Sequence, residues 1–207
     1  MGISAKNKAL VRAVFLDRDG VLNENVLNPE TREWESPHAI KDFHLFKETL
    51  PALKRLQNAG FLLFVISNQP SYAKGKVSLE ALQAIHGHFE QILKANGIKI
   101  KKSYYCYHHP KGEVPEYSIV CECRKPKPFF IRKAEQDFNL SLEESWMLGD
   151  RDTDIKCGKS AGVKTILIKS NVQNAATCTD QDFTTLGISS AVDIILKIKE
   201  IIKRRVV

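Results

Sequence analysis

The stretch Phe15-Leu16-Asp17-Arg18-Asp19-Gly20 decides the fold, because it places two carboxylates at the end of the apolar run 13–16. A short, continuous apolar run of this kind is typical of a buried strand in a parallel sheet. Residues two apart in a strand face the same side, so we expect Asp17 and Asp19 to converge beyond the strand's carboxyl end. Parallel α/β sheets bind their ligands at that edge, where a metal ion and a phosphate group fit between the two acids.

Four further apolar runs alternate with helical patterns and predict a βαβ order along the chain. The runs are 61–66, 103–107, 146–148 and 163–168. Helices are predicted over 49–59, with Pro51 in the first turn, from Ser78 to just before Gly97, and from Ser189 onward. Two stretches, 23–46 and 108–127, do not follow this rhythm, and loops of that length are usually functional or disordered.

Composition places the chain among ordinary globular proteins. With 43% apolar and 27% charged residues in a length of 207, it can bury its core as one domain spanning 1–207. No apolar run has the length of a membrane span and the segment 1–8 lacks the apolar core of a signal peptide, so we expect a cytoplasmic protein that binds no membrane. The net charge of +7 suits phosphorylated metabolites as well as nucleic acid, and the basic cluster 203–205 is typical of a solvated helix end.

Polar residues that suit phosphate chemistry follow three later parts of the chain. They are Ser67-Asn68-Gln69 after the run 61–66, Arg124-Lys125-Pro126 after the irregular stretch, and residues 149–154, GDRDTD, after the run 146–148. Each alone is also typical of a turn or of a helix N-terminus. Together and in this order, they predict one site for phosphoryl transfer.

The order DxDG, Ser-Asn-Gln, Lys and GDxxxD resembles the four motifs of the haloacid dehalogenase-type (HAD) phosphatases, over about 13–168. The resemblance implies an α/β fold, a Rossmann-like three-layer sandwich with a central parallel sheet and no separate cap domain. It also implies that Asp17 is the nucleophile that forms an aspartyl-phosphate, and that Asp19 acts as acid and then as base. Ser67 and Lys125 would hold the transferred phosphoryl group.

The same resemblance implies a Mg²⁺ site. Its ligands would be Asp17, the backbone carbonyl of Asp19, and Asp150. Asp154 would not contact the metal ion itself but would orient the ligands. A cation there offsets the repulsion between the attacking carboxylate and the phosphate dianion. Arg18, between the first two acids, is also typical of a plain salt-bridge partner.

Cys106-x-His108 and Cys121-x-Cys123 are two close pairs of metal-ligand residues. Three thiolates and one imidazole can close a tetrahedral zinc site with no open position, so we expect a structural zinc that stabilises the loop 106–123. Buried apolar cysteines beside a surface histidine are the alternative. Two further cysteines have no partner at ligand spacing and no predicted role: Cys157 and Cys178.

Five longer stretches, FLDRDGVLN, SNQ, YYCYHHPKG, CECRKPKP and GDRDTDI, are similar to the family of the D-glycero-D-manno-heptose 1,7-bisphosphate 7-phosphatases. The resemblance implies removal of the 7-phosphate in ADP- or GDP-heptose biosynthesis, with Mg²⁺ and Zn²⁺ as cofactors and a small phosphorylated sugar as substrate. Histidinol-phosphate phosphatase, or another sugar-phosphate phosphatase, is the nearest alternative. A zinc-stabilised nucleic-acid-binding module is a distant one, because it would not need the carboxylate pairs. We expect a monomer that binds no nucleic acid.

Substrate contacts are implied for two segments and three basic residues. They are Asn25, Val26, Leu27, Asn28, Ser67, Asn68, Gln69, Pro70, Arg124, Lys125 and Arg151. Two departures from the family pattern concern these segments. Where Ser-Gly-Ile-Ala-Arg-Gly commonly follows Asn-Gln, residues 70–75 here are PSYAKG, and the proline supplies no backbone donor. Compared with the family pattern, the segment between the carboxylate pair and the first helix is also longer than usual, with residues 28–34 inserted near the substrate loop.

Overall fold

The computed structural model describes residues 11–169 and 179–205. The strands are β1 (Ala13–Leu16), β2 (Val26–Leu27), β3 (Trp34–Glu35), β4 (Leu62–Asn68), β5 (Ile100–Cys106), β6 (Trp146–Gly149), β7 (Lys164–Ile168) and β8 (Phe183–Thr185). The helices are α1 (Thr49–Asn58), α2 (Leu79–Ala95), α3 (Phe129–Phe138), α4 (Asp152–Ala161) and α5 (Ile188–Arg205). Short 3₁₀ turns at Ile40–Asp42 and Pro115–Tyr117 lie in the two stretches that interrupt the alternation.

Six strands form one parallel sheet in the order β5-β4-β1-β6-β7-β8. β1 lies in the middle, and its last residue, Leu16, pairs with Val65 of β4 and with Leu148 of β6. The chain builds one half of the sheet through β4 and β5 and then returns to build the other half, so the strand order reverses beside β1. Open α/β sheets bind ligands outside the carboxyl ends of the strands at such a reversal. The predicted parallel α/β sheet is confirmed.

Helices cover both faces of this sheet. One core lies between the sheet and α1, α2 and α5, and includes Val14, Leu16, Leu63, Val65, Leu53, Leu56, Ile85, Phe89, Val192 and Ile195. The other lies against α3 and α4, and includes Phe15, Phe64, Ile66, Met147, Ile131, Ala134, Cys157 and Ala161. Neighbouring residues of a buried strand point to opposite faces, so each continuous apolar run contributes to both cores. The result is the predicted three-layer sandwich.

The structure contains elements that the sequence pattern does not indicate. α3 begins directly after the prolines at 126 and 128 and has no side-chain cap, so the usual start signal is missing. β8 has three residues, and β2 and β3 have two each, which is too short for an alternating pattern to show. β2 and β3 form an antiparallel hairpin within the stretch 23–46.

Some predictions from the sequence concern residues or side chains that the structure does not describe. The segment 1–8 and Cys178 lie outside the described residues, as do the side chains of the basic cluster 203–205. Between residues 11 and 169, and between 179 and 205, no helix combines the length and the apolar character needed to cross a membrane.

Ser145→Ala tests how β1 is held beside the turn before β6. Ser145 Oγ accepts a hydrogen bond from the Ala13 N–H at 2.9 Å and donates one to the Ser141 carbonyl at 2.6 Å. The substitution leaves the buried Ala13 N–H without this partner, so we expect the free energy of unfolding to fall by about 1–3 kcal/mol in urea denaturation. The control Ser160→Ala, on the exposed face of α4, should change it by less than about 0.5 kcal/mol. Equal losses in both variants would contradict this role of Ser145.

Candidate active site

A cleft opens at the carboxyl ends of the three central strands. Asp17 follows β1, Ser67 lies near the end of β4, and Asp150 follows β6. The cleft has a volume of about 510 Å³, and Asp17, Asp19, Ser67 and Lys125 all line it. The structure therefore brings the four predicted catalytic residues together in one concave site.

Lys125 is buried beneath the cleft and joins the ends of different elements. Its Nζ lies 2.8 Å from Asp17 Oδ1 and 2.6 Å from Asp154 Oδ1, and it donates a hydrogen bond of 2.7 Å to the Ile66 carbonyl. Burial acts to lower the pKa of Lys125, but the charges of Asp154 and Asp17 outweigh burial and raise the pKa above its usual value. The ammonium therefore stays protonated at neutral pH and supplies a fixed positive charge.

Asp17, Asp150 and Asp154 form a cluster of acids whose oxygen atoms lie within 4.8 Å of one another. The ammonium of Lys125 contacts two of these three carboxylates, those of Asp17 and Asp154. Burial, followed by the charges of Asp17 and Asp154, raises the pKa of Asp150 well above its usual value. Among the described residues, its buried Oδ1 has no hydrogen-bond partner. This cluster could hold a divalent cation with oxygen ligands.

Gly20 allows Asp150 to approach the loop after β1. The backbone φ of Gly20 is +88°, in the left-handed region that side chains rarely adopt. A Cβ at this position would also overlap Asp150 Oδ2. The last residue of the DxDG motif is therefore glycine for two physical reasons, backbone conformation and space.

Asp19 receives hydrogen bonds from three side chains. Arg18 donates from two nitrogens at 3.1 and 3.2 Å, Asn23 donates at 3.0 Å, and Gln69 Nε2 donates at 2.5 Å. Gln69 Nε2 also donates to Ser67 Oγ at 2.9 Å. These contacts fix the orientation of the Asp19 carboxylate and link it to the predicted phosphate-binding hydroxyl.

Arg18 is a buried partner of Asp19 rather than a surface one, with only 1% of the residue exposed. Its guanidinium carbon lies 5.8 Å from the ring centre of Phe43 and 5.6 Å from that of Tyr105. Burial opposes the charge of Arg18, but Asp19 and Tyr105 raise its pKa. Tyr105 in turn contacts a residue nearer the surface: its hydroxyl lies 2.8 Å from His86 Nδ1. The rings of Phe43 and Tyr105 thus hold the Arg18 guanidinium in place, and from there it can position Asp19.

The β2–β3 hairpin and the turn after β4 form an outer part of the cleft and are joined to each other. Glu35 forms an ion pair with Lys76 and accepts a hydrogen bond from Asn28 Nδ2 at 3.3 Å. His38 Nε2 lies 3.0 Å from Ser71 Oγ. Burial acts to raise the pKa of Glu35, but hydrogen bonds from Lys76 and Asn28 lower it below its usual value. Glu35 therefore stays charged and holds the hairpin to the turn.

Most of the predicted substrate-contact residues line the cleft: Asn25, Ser67, Asn68, Pro70, Arg124, Lys125 and Arg151. Gln69 does not line the cleft, because it is buried, with only 1% of the residue exposed. Val26, Leu27 and Asn28 do not line the cleft, because residues 33–36 on the returning side of the hairpin occupy that wall. Asn28 Oδ1 instead accepts backbone hydrogen bonds in the hairpin turn at 2.9 and 3.2 Å.

Cys106, His108, Cys121 and Cys123 meet at the end of β5. The distances between sulfur atoms are 3.3, 3.5 and 3.6 Å, and His108 Nδ1 lies 3.8 and 3.4 Å from the Sγ atoms of Cys106 and Cys123. With Zn–S bonds of about 2.3 Å and a Zn–N bond of about 2.0 Å, ligand atoms in a tetrahedral site are roughly 3.5–3.8 Å apart. The four side chains are therefore arranged as zinc ligands are, and could hold a zinc ion.

This cysteine–histidine cluster is connected to the cleft through short hydrogen bonds. The Gln69 N–H donates to the Cys106 carbonyl at 2.7 Å, and Arg124 Nη1 donates to the His108 carbonyl at 3.2 Å. The side-chain amide of Asn68 exchanges two hydrogen bonds of 3.1 Å with the Lys125 backbone. Ordering of the cluster therefore also places Lys125 under the cleft.

Comparison with known proteins gives a consistent set of relatives. The HAD-hydrolase-like family matches residues 122–189. The D-glycero-alpha-D-manno-heptose-1,7-bisphosphate 7-phosphatase of Photorhabdus laumondii is 33% identical over 161 residues, which are 77% of this chain and 84% of that protein. The D-glycero-beta-D-manno-heptose-1,7-bisphosphate 7-phosphatase of Haemophilus ducreyi is 34% identical over 186 residues, 89% and 96% of the two chains.

A solved structure shows the same fold. The D,D-heptose 1,7-bisphosphate phosphatase of B. bronchiseptica, in complex with magnesium and phosphate, aligns with a TM-score of 0.75 and 21% identity. The alignment covers 90% of this chain and 99% of that one. The central sheet and its flanking helices are therefore shared with that protein.

Gly20→Ala tests the close approach of Asp150, with Gly60→Ala as a matched control. The two glycines have φ values of +88° and +83°, so each alanine costs about 1–2 kcal/mol of backbone strain. A Cβ at Gly60 meets nothing within 4 Å, whereas one at Gly20 displaces Asp150. We expect only Gly20→Ala to weaken Mg²⁺ binding, by about 10- to 100-fold in calorimetric titration. Equal affinities in the two variants would refute the argument.

Proposed function

The chain belongs to the heptose-1,7-bisphosphate 7-phosphatase family of HAD-like hydrolases, and on that premise we propose that it removes the 7-phosphate of D-glycero-D-manno-heptose 1,7-bisphosphate. The observation that carries the proposal is the 2.8 Å contact between Asp17 Oδ1 and the buried ammonium of Lys125. A carboxylate next to a buried cation at the base of a cleft is well placed to attack a phosphate group. Relatives named for both anomers of the bisphosphate support the substrate class.

Two displacements at phosphorus make up the reaction. An oxygen of Asp17 attacks the 7-phosphate, the bond from phosphorus to the sugar oxygen breaks, and Asp19 gives its proton to that oxygen. Asp19 then takes a proton from a water molecule that attacks the aspartyl-phosphate. The bond between phosphorus and Asp17 breaks, and inorganic phosphate leaves. Hydrogen bonds from Arg18, Asn23 and Gln69 support the second step, in which Asp19 acts as the base, because they hold its carboxylate in one orientation.

Lys125 and Ser67 act on the transferred group. The ammonium of Lys125 neutralises charge on the phosphoryl oxygens, and its position is fixed by Asp17, Asp154 and the Ile66 carbonyl. Ser67 Oγ accepts a hydrogen bond from Gln69, so its own hydrogen can be donated to a phosphoryl oxygen.

Asp17, the backbone carbonyl of Asp19, and Asp150 would hold Mg²⁺, with Asp154 placed by its contact with Lys125. Two observations support this site: the buried Oδ1 of Asp150 has no hydrogen-bond partner among the described residues, and the carboxylate oxygens of Asp17, Asp150 and Asp154 lie close together. A bound Mg²⁺ would offset the repulsion between a carboxylate and a phosphate dianion.

A structural zinc is part of the proposal. Cys106, His108, Cys121 and Cys123 supply four ligands, which leaves no open position for chemistry. The loop that they close has little core of its own, since Ile119 and Val120 within it are 44% and 79% exposed. Metal-ligand bonds would replace the missing packing.

We also propose that the chain acts as one domain, as a monomer, and in the cytoplasm. The described cysteines, Cys106, Cys121, Cys123 and Cys157, form no disulfide bond with one another, which suits a reducing compartment. Carboxylates line the cleft as densely as cations do, so it suits a small phosphorylated sugar better than the continuous phosphate backbone of a nucleic acid.

A substrate panel tests the proposal. We expect Mg²⁺-dependent release of one phosphate from heptose 1,7-bisphosphate, with a higher kcat/KM than for histidinol phosphate or fructose 1,6-bisphosphate, and both anomers should be assayed. A metal-replete protein that ignores both anomers and hydrolyses histidinol phosphate would overturn the proposal in favour of that alternative.

In the same assay, Asp17→Asn should lower kcat by more than about 10³-fold, because the nucleophile is removed. Acid quenching of the wild-type reaction should recover a phosphorylated chain whose phosphate is released by hydroxylamine, and the variant should show none. Asp137→Asn, at an exposed position of α3, is the control and should keep wild-type turnover. An active Asp17→Asn variant would exclude the aspartyl-phosphate route.

Cys121→Ser tests the zinc separately from catalysis. Metal analysis should find about one zinc per wild-type chain and much less in the variant, whose thermal midpoint should fall because metal binding contributes to folding. Cys157→Ser is the matched control, because Cys157 lies in the core against α3 and α4. This variant should bind as much zinc as the wild type. A metal-free wild-type protein that is stable and active would contradict the zinc site.

A further inference from the structure

Trp34 is the aromatic side chain among the described residues that line the catalytic cleft, and its other neighbours there are polar or charged apart from Pro70. It is half-buried and belongs to β3. It also lines a second cavity of about 380 Å³, beside Gly20 and Val21, so the residue borders two open spaces. A large apolar surface is thus presented within a site built for charge.

We propose that Trp34 is the surface against which the carbon skeleton of the sugar phosphate packs, and that it sets the preference for sugars over smaller phosphate esters. This inference rests on the proposed function. The residue lies in the stretch 28–34, outside every motif that carries the chemistry. It would therefore act on substrate selection and leave the phosphoryl transfer itself unchanged.

The backbone of Trp34 is fixed relative to the cleft. β3 pairs with β2 in the register Trp34 with Leu27 and Glu35 with Val26. The next residue, Glu35, is held by the ion pair with Lys76. The backbone that carries the ring is thus already in place, so little backbone conformational entropy is lost when a ligand packs on Trp34.

The chemistry of the substrate matches this placement. The phosphate groups of a sugar bisphosphate can pair with cations that line the cleft: Lys74, Arg124, Lys125 and Arg151. Its C–H groups need an apolar surface, and aromatic rings provide a large one at low entropic cost. The reacting phosphate is at one end of the seven-carbon chain, so the sugar ring extends outward from Asp17 toward the cleft wall.

Steady-state kinetics of Trp34→Ala and Trp34→Phe on two substrates test the inference. With heptose 1,7-bisphosphate, we expect Trp34→Ala to raise KM about tenfold or more, and Trp34→Phe to restore most of the loss. With acetyl phosphate, which has no sugar, both variants should match the wild type in kcat/KM. Thr31→Ala is the control: it removes the acceptor of the Glu33 N–H in the same hairpin turn, at an exposed position that does not line the cleft.

Two results would overturn the inference while leaving the proposed function in place. One is an equal loss on acetyl phosphate and heptose bisphosphate in Trp34→Ala. The other is a similar loss in Thr31→Ala, which would assign the effect to the stability of the hairpin. If the wild type fails on heptose bisphosphate, the proposed function falls, and the comparison is made with the sugar phosphate that it hydrolyses best. Hydrolysis of acetyl phosphate but of no sugar phosphate would overturn both.

Fluorescence gives a readout that does not depend on turnover. The chain has two tryptophans, and Trp146 is only 2% exposed, so a ligand-dependent change in emission reports Trp34. We expect the product, heptose 1-phosphate, to shift the emission of the wild type in the presence of Mg²⁺, and inorganic phosphate to leave it unchanged. A shift that persists in Trp34→Phe, or no shift with the product, would count against the inference.

Discussion

The structure depends on one buried cation. The Lys125 ammonium contacts Asp17 after β1, Asp154 in α4 and the Ile66 carbonyl in β4, so a single group joins three separate parts of the sheet edge. A buried ion pair adds little net stability, but loss of one partner costs about 3–5 kcal/mol because a charge is left uncompensated. The long irregular stretch must therefore deliver Lys125 to one place, and the cysteine–histidine cluster provides the anchor for it. Folding and chemistry share the same contact.

Much of this arrangement could be predicted from the residues. β1 and β6 match the apolar runs to within one residue, because a strand buried on both faces needs continuous apolar side chains. The strand-end motifs were predictable as one site because parallel strands direct their carboxyl ends to the same edge. The four-residue metal cluster was predictable for a chemical reason: few residue types bind zinc, and their spacing limits the choices.

Other parts depend on contacts that a sequence pattern does not contain. Glu35 meets Lys76, and His38 meets Ser71, so the wall of the cleft is set by pairs more than thirty residues apart. Strands of two residues cannot show which side of a hairpin faces the cleft, and here it is residues 33–36 rather than 26–28. The burial of Arg18 between two rings is likewise invisible in the motif that contains it.

The separation of the hairpin from the sheet has an evolutionary consequence. β2 and β3 pair only with each other, while the six central strands and both cores carry the folding energy. Mutations in the hairpin can therefore accumulate without a large cost to the stability of the sheet, and those at residues 33–36 alter a wall of the cleft. A lineage with this architecture can change its metabolic role by drift in one small loop while its reaction chemistry is conserved.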